Sequence, residues 1–365
     1  MKPLRIAIIG TGFGAEFIPI YQAFDKTECY ALCRRNKDEL KKIAEHFEVE
    51  KQYTDYHELL KDTQIDAVHI NSPIADHAWM AIEALKSGKH VASTVPMAIT
   101  TEECLEIAKL EAETGLVYMM METAVYTREY LYVKNLMKNG IIGDIQFLRG
   151  SHQQNMSLPG WPAYWYGMPP MYYGTHAIGP LSDLLNLSIS SVRCYGSGHI
   201  RKEYEDKYGS PFAAETAQLT FKKSDITAEV TRSLFDTVRQ YRESFDVYGS
   251  KASFEWEQLA GENPVLYTGF EDAYRVEVPD TDKILPSEIA RFALKEQIFD
   301  DQHVSYIQGA GHGGSHPHLV NEFVSAILEK RKAHICAARA VNWTMAGILA
   351  HQSAIQGGKT MELPV

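Results

Sequence analysis

The chain predicts an α/β protein in two parts: an N-terminal doubly wound Rossmann domain, then a C-terminal α+β domain with a large, mainly antiparallel open sheet. Three observations carry that expectation. A buried apolar strand, Leu4 to Ile9, runs into the glycine turn Gly10-Thr11-Gly12-Phe13-Gly14-Ala15. Strand and helix signals then alternate to about residue 122. Beyond that, strand-like stretches follow one another with few helices between them until about residue 286. These patterns divide the chain into 1–122 and 123–365, with the last helices free to pack back on the first domain.

The turn reads G-x-G-x-x-A in a strand–turn–helix setting, the context a dinucleotide fingerprint requires. Gly10 permits the tight turn, Gly12 lets the backbone approach a pyrophosphate, and Ala15 lets the next helix pack closely. That helix would present unpaired N–H groups and its positive dipole end to the phosphates. A second strand ends near Ala31-Leu32-Cys33. At its end, where an acid usually reads the ribose, stand Arg34-Arg35. Arginine suits a 2′-phosphate, so NADP leads NAD slightly.

Next come a helix from Lys37 to His46 and a strand from Asp66 to Ile70 that ends at Asn71-Ser72-Pro73. A helix from Ala75 to Lys86 stops at Gly88, and His90 to Ser93 is a strand. A helix from Thr101 to Thr114 is capped by Gly115, and Val117 to Met121 closes the alternation. Ligands of such sheets gather at the carboxyl ends of the strands. The expected cofactor residues are therefore Gly10 to Ala15, Asn71, Ser72, Pro73, Thr94, Val95 and Pro96, with Arg34 and Arg35.

In the second half a helix from Tyr126 to Lys138 ends at Asn139-Gly140. Strands are expected within Asp144 to His152, Ser191 to Gly196, Thr216 to Phe221, Thr227 to Phe235 and Ser244 to Tyr248, and helices over Pro317 to Lys330 and Ala337 to Gln356. An open sheet needs cover, from the first domain or from a second copy, so a homo-oligomer, dimer or tetramer, is expected through it.

Composition narrows the partners. The 365 residues suit about two domains. A net charge of −11 without a Lys/Arg cluster argues against nucleic acid. No apolar run approaches the ~20 residues that span a bilayer. Met1-Lys2-Pro3 leads straight into the first strand, so no leader is expected. Five scattered cysteines predict reduced thiols and a cytoplasmic setting. Cys29 and Cys33 share a predicted strand and are not expected to bind metal.

Several segments together resemble the Gfo/Idh/MocA family over nearly the whole chain. They are the glycine turn, Asn71-Ser72-Pro73 with His77 after it, Gly88-Lys89-His90-Val91 leading into Pro96, Gly140 to Gly143 with Asp144, and His176. The resemblance implies a nicotinamide cofactor, with His77 in its site, and a sugar, inositol or related polyol as substrate. Two departures stand out. Dehydrogenases of the family typically carry Glu-Lys-Pro where this chain has Thr94-Val95-Pro96, and Val95 can neither transfer a proton nor stabilise an alkoxide. They also typically carry Asp-x-x-x-His, and here the acid position is Tyr172. Val95-Pro96, Met120-Met121-Glu122 and the Tyr173/His176 pair look like the family's NAD-dependent α-N-acetylgalactosaminidase branch, which cleaves glycosides without net redox change. That branch has Tyr-x-His where this chain reads His152-Gln153-Gln154.

Without the lysine, His176 and Tyr173 are the candidates to take a hydroxyl proton. Histidine titrates near neutrality, and a tyrosine needs a neighbouring cation to lower it from about 10. Oxidation of a ring hydroxyl would acidify the adjacent C–H, allowing elimination of a glycosidic group, addition of water and return of the hydride. That route departs from the usual two-carboxylate arrangement. It needs an acid, for which Glu122, His152 and Tyr173 are candidates. The aromatic run Trp161 to Tyr166 reads as a loop, with Trp161 and Trp165 suited to a sugar face or another subunit. The run Gly309 to His318 holds three histidines among glycines. It reads as a substrate loop, with His312 and His316 joining Tyr172 as substrate contacts and no metal expected. The leading function is NAD(P)-dependent hydride transfer at a secondary carbinol of a sugar or sugar derivative. The alternatives are a redox-neutral NAD-dependent glycoside hydrolase or lyase, and a non-catalytic sugar or nucleotide sensor.

Overall fold

The computed structural model describes residues 2–364 apart from 206, 240, 260 and 296–310. The chain forms two compact units: Met1–Arg128 with Asp280–Val341, and Glu129–Pro279 with Asn342–Val365. It therefore crosses between units three times, where the sequence suggested one boundary at 122/123.

In the first unit, six strands form one sheet: β1 (Leu4–Ile9), β2 (Thr27–Cys33), β3 (Lys51–Tyr53), β4 (Ala67–Ile70), β5 (His90–Ser93) and β6 (Tyr118–Met120). Their order is β3-β2-β1-β4-β5-β6 and every pairing is parallel. The order reverses between β1 and β4, which puts the switch-point crevice at their carboxyl ends. Ile6, Ala7, Ile8, Val68 and Ile70 are fully buried, as strands covered on both faces require. Gly115 ends its helix at φ +67°, as expected, and Asn36 caps the helix from Lys37 by accepting from the Asp38 and Glu39 N–H groups at 3.1 Å.

One expectation changes. After the glycine turn the chain first makes a 3₁₀ segment, Phe13–Phe17, and only then a short α-helix, Ile18–Ala23. Pro19, in the first turn of that helix, is suited to a helix start but has no N–H to give. The helix end that would face a phosphate is thus one 3₁₀ turn, not a long dipole. Cys29 and Cys33 are buried free thiols, and burial pushes both up to about 12.

The second unit holds a nine-stranded sheet: β7 (Ile145–Gln154), β8 (Ile189–Ser197), β9 (Ala214–Phe221), β10 (Thr227–Ser233), β11 (Tyr241–Gly249), β12 (Ser253–Glu255), β13 (Val265–Tyr267), β14 (Ala273–Arg275) and β15 (Met361–Glu362). The order is β14-β13-β12-β11-β7-β10-β9-β8-β15. All pairings are antiparallel except β7 with β10. The helix Thr175–Leu185 packs on β7, β10 and β11. It comes so close that a Cβ at Gly150 would run into the Ala177 carbonyl. That helix and the short strands β12, β13, β14 and β15 were not foreseen.

Candidate active site

The glycine turn shows which small residues the protein itself requires. Gly10 has φ +81°, and a Cβ there would collide with the Asn71 carbonyl. Gly14 is pressed between the Asn71 side chain and Ile8. At Gly12 φ is −72° and ψ is −94°, and among the described residues an added Cβ would meet nothing within 4 Å. No neighbour among the described residues fills the space a side chain would take there, and that space is what a pyrophosphate against the backbone needs. The residues therefore fit a bound dinucleotide.

The neighbouring strand ends are tied together by His77. Its Nδ1 lies 2.7 Å from the Pro96 carbonyl and its Nε2 lies 2.9 Å from the Ser72 carbonyl. Burial pulls this imidazole below its ordinary pKa, opposed by the two carbonyls. Ser72, Pro73, Thr94, Val95 and Pro96 are thus held as one rim, with Thr94 Oγ1 3.2 Å from His77 Nε2. Thr11 is buried and accepts a hydrogen bond from Arg34 at 3.2 Å. Arg34 is also salt-bridged to Glu39, while Arg35 is exposed. That pairing leaves the NADP preference without structural support.

In the second unit, sheet register gathers a cluster of ionisable side chains. On β7, His152 stands opposite Arg232 of β10 and opposite Glu243 of β11. In-register neighbours share one face of a sheet, so the three side chains form a row. His176, in the first turn of Thr175–Leu185, meets this row: its ring is edge-on to His152 with centroids 4.9 Å apart. His152 Nε2 lies 3.5 Å and His176 Nε2 lies 3.8 Å from the same oxygen, Glu243 Oε1. Tyr241 donates to that oxygen at 2.6 Å. Tyr173, in the 3₁₀ turn before the helix, places its hydroxyl 3.2 Å from His176 Nε2.

Arg232 is fully buried beneath this group. It donates to the Tyr173 carbonyl at 2.9 Å, the His152 carbonyl at 3.2 Å and Gln154 Oε1 at 2.7 Å, and also to the Ser233 carbonyl. Its guanidinium sits over the Tyr173 ring, 5.2 Å from the centroid. Burial lowers it to about 10, so it stays charged at neutral pH. It sets a positive charge beside the Tyr173 ring.

The other expected residues fall in several places. Trp165 is buried and edge-on to Tyr173 at 4.9 Å, with Trp161 against Trp165 at 6.3 Å. Tyr172 turns away and lies edge-on to His351 at 5.3 Å. His351 is in turn paired with the buried Glu215 at 2.7 Å. Glu122 is buried in the first unit and accepts from the Ala124 N–H at 3.0 Å, capping the turn after β6. His312 and His316 also belong to the first unit. His316 lies 3.4 Å from Glu16 and 3.2 Å from His312, beside Phe13 of the glycine turn. Residues 309 and 310 of that histidine run lie outside the described residues. Arg232, Glu243, Tyr241, Gln154 and Glu16 were missed. The i, i+2 pair His152/Gln154 could have flagged the β7 face; Arg232 and Glu243 depend on strand register, which no local pattern reveals.

Residues 4–122 match the oxidoreductase family with an NAD-binding Rossmann fold, GFO_IDH_MocA, and residues 130–255 match the GFO/IDH/MocA C-terminal domain. The chain belongs to the Gfo/Idh/MocA family. It is 30% identical over 263 residues to an alpha-N-acetylgalactosaminidase of Shewanella oneidensis, covering 66% of this chain and 56% of the relative. A glycosyl hydrolase family 109 protein of Shewanella baltica is 29% identical over 258 residues, 64% of this chain and 56% of that one. The chain thus aligns with about half the length of these curated relatives. Among solved structures, levoglucosan dehydrogenase in complex with NADH and levoglucosan superposes with a TM-score of 0.80 at 19% identity, over 100% of both chains. Myo-inositol 2-dehydrogenase from Lactobacillus plantarum gives 0.75 at 20% identity, again over 100% of both. These two establish the shared Gfo/Idh/MocA fold. Among the described residues no helix is long and apolar enough to cross a membrane.

Proposed function

We propose that this protein is an NAD-dependent oxidoreductase acting at a secondary carbinol of a carbohydrate. The observation that carries the reading is the Tyr173–His176 pair set on a buried Arg232, in a chain whose first unit keeps an unexplained open space at Gly12. A nicotinamide bound at the glycine turn supplies a hydride acceptor and donor. The Tyr173–His176 pair takes the carbinol proton, a role that Val95 cannot fill. Arg232 fixes the backbone of Tyr173 and His152 and keeps positive charge beside the phenol. Trp165 offers an apolar wall next to Tyr173. The buried Glu122 works as a turn cap, and we assign it no proton.

A second reading, redox-neutral glycoside cleavage, is favoured by the number of ionisable groups. His152 and Glu243 add a second proton site beside the Tyr173–His176 pair. Elimination and readdition of water need such a site, and a simple dehydrogenation does not. The glycosidase names of the relatives point the same way. We further propose a cytoplasmic protein that associates with copies of itself through the open sheet; light scattering on the purified chain tests that association.

One experiment separates the readings. The protein is incubated with NAD⁺ in deuterated buffer, with free sugars and with aryl glycosides. Reduced nicotinamide from free sugars supports the first reading. Glycoside cleavage with ring deuterium and no net reduction supports the second. Silence on both panels, with NAD⁺ bound, leaves the sensor.

A further inference from the structure

We propose that His152, His176 and Glu243 hold one divalent first-row cation, such as Mn²⁺, Co²⁺ or Zn²⁺, through two imidazole nitrogens and a carboxylate oxygen. One donor atom from each residue lies within 4.8 Å of the other two. Two of the edges, from each Nε2 to Glu243 Oε1, are 3.5 and 3.8 Å. Three donors so spaced share a central point roughly 2–2.4 Å from each, the range of bonds from such cations to histidine and carboxylate. Two imidazoles and one carboxylate form a donor set that first-row dications accept. Shielding is also suitable: the side chains are 0%, 3% and 11% exposed.

A second cluster, Glu16 with His312 and His316, has comparable spacing but the wrong directions. There His316 turns Nδ1 toward Glu16 and Nε2 toward His312, so opposite edges of one ring face the two partners. In the sheet cluster both histidines bring the same ring atom, Nε2, toward a single oxygen. The surroundings supply outer contacts. Tyr241 donates to Glu243 Oε1, Gln154 and Arg232 brace β7, and Arg232 donates to the backbone carbonyls of His152 and Tyr173. Arg232 is a like-charged neighbour and lowers affinity, and the Glu243 carboxylate offsets it.

The cation would take the His176 nitrogen that the Tyr173 hydroxyl now faces. Tyr173 is then left beside the metal as the group that meets the carbinol proton. Polarising the carbinol oxygen is the service that a lysine would give and Val95 does not. That role rests on the function proposed above; binding of the cation does not.

The test uses metal-stripped full-length protein titrated with Co²⁺, followed by visible absorption and by metal content after desalting. We expect one cobalt per chain. Glu243→Gln and His176→Gln each remove one of three ligands and should each abolish stoichiometric cobalt retention, with Tm and NAD⁺ affinity near those of the unsubstituted protein. Failure of the unsubstituted protein to retain cobalt overturns the proposal. So does equal retention by both variants, or loss on His312→Ala instead. Sugar oxidation without cobalt binding would remove the cation and leave the function. Cobalt binding without NAD⁺ binding would do the reverse.

Discussion

Gly10 and Gly12 sit two residues apart and should respond oppositely to substitution. Gly10 holds φ +81° against the Asn71 carbonyl, so Gly10→Ala strains the backbone and destabilises the fold by about 1–3 kcal/mol. Gly12 has an ordinary φ and open space, so Gly12→Leu should leave Tm almost unchanged while NAD⁺ affinity falls at least about tenfold. Thermal melts and nucleotide titrations of the two variants check this pair. At the proton site, Tyr173→Phe keeps the ring against Trp165 and Arg232 but removes the hydroxyl. Turnover should drop about 10²–10⁴-fold with NAD⁺ affinity retained, measured as kcat against nucleotide Kd. The glycine turn, His176, Tyr173 and His152 all stand out in the sequence as candidates. What composition and spacing could not show was that Arg232 of β10 lies under Tyr173 of the 3₁₀ turn, because the two are 59 residues apart in the chain.

Elements place these residues, and Thr175–Leu185 fits closely on the sheet. Gly150 of β7 lets that helix approach, because any side chain would meet the Ala177 carbonyl, one residue beyond His176. Gly150→Ala should push the start of the helix away from His152 and cost about 1–3 kcal/mol. Its activity should fall more than its stability explains, read as kcat at a temperature where the variant is folded. Most elements of the first unit were legible, since buried parallel strands and capped helices carry local signals: Asn36, Thr100 and Gly115 mark their own ends. The helix after the glycine turn was not. There the 3₁₀ segment Phe13–Phe17 precedes a helix begun by Pro19, and neither follows from the glycine pattern. The short strands β12, β13 and β14 carry three residues each, too few for an alternation to register.

Across the whole molecule, buried histidines contribute to the response to acid. Burial lowers His69 to about 3 and His318 to about 4, from ordinary values near 6.5. The unfolded chain therefore binds more protons than the folded one between those values. Stability should hold above about pH 6.5 and fall as the pH drops toward 4. His318→Gln can keep a hydrogen bond to Thr281 but cannot titrate, so it should flatten part of the slope in Tm against pH. The division of the molecule was only half legible. A Rossmann unit and an open-sheet unit could be read from the two halves. The return of 280–341 to the first unit rests on contacts distant in sequence, such as the Arg128 bond to the Ala293 carbonyl at 3.2 Å.

The proposed hydride transfer depends on a nicotinamide dinucleotide lying against the backbone at Gly12. Calorimetric titration of stripped protein with NAD⁺, beside Gly12→Leu, tests it most directly. Saturable heat in the native chain and its loss in an equally stable variant is the predicted result. No heat in the native chain, or the same heat in both, would contradict it.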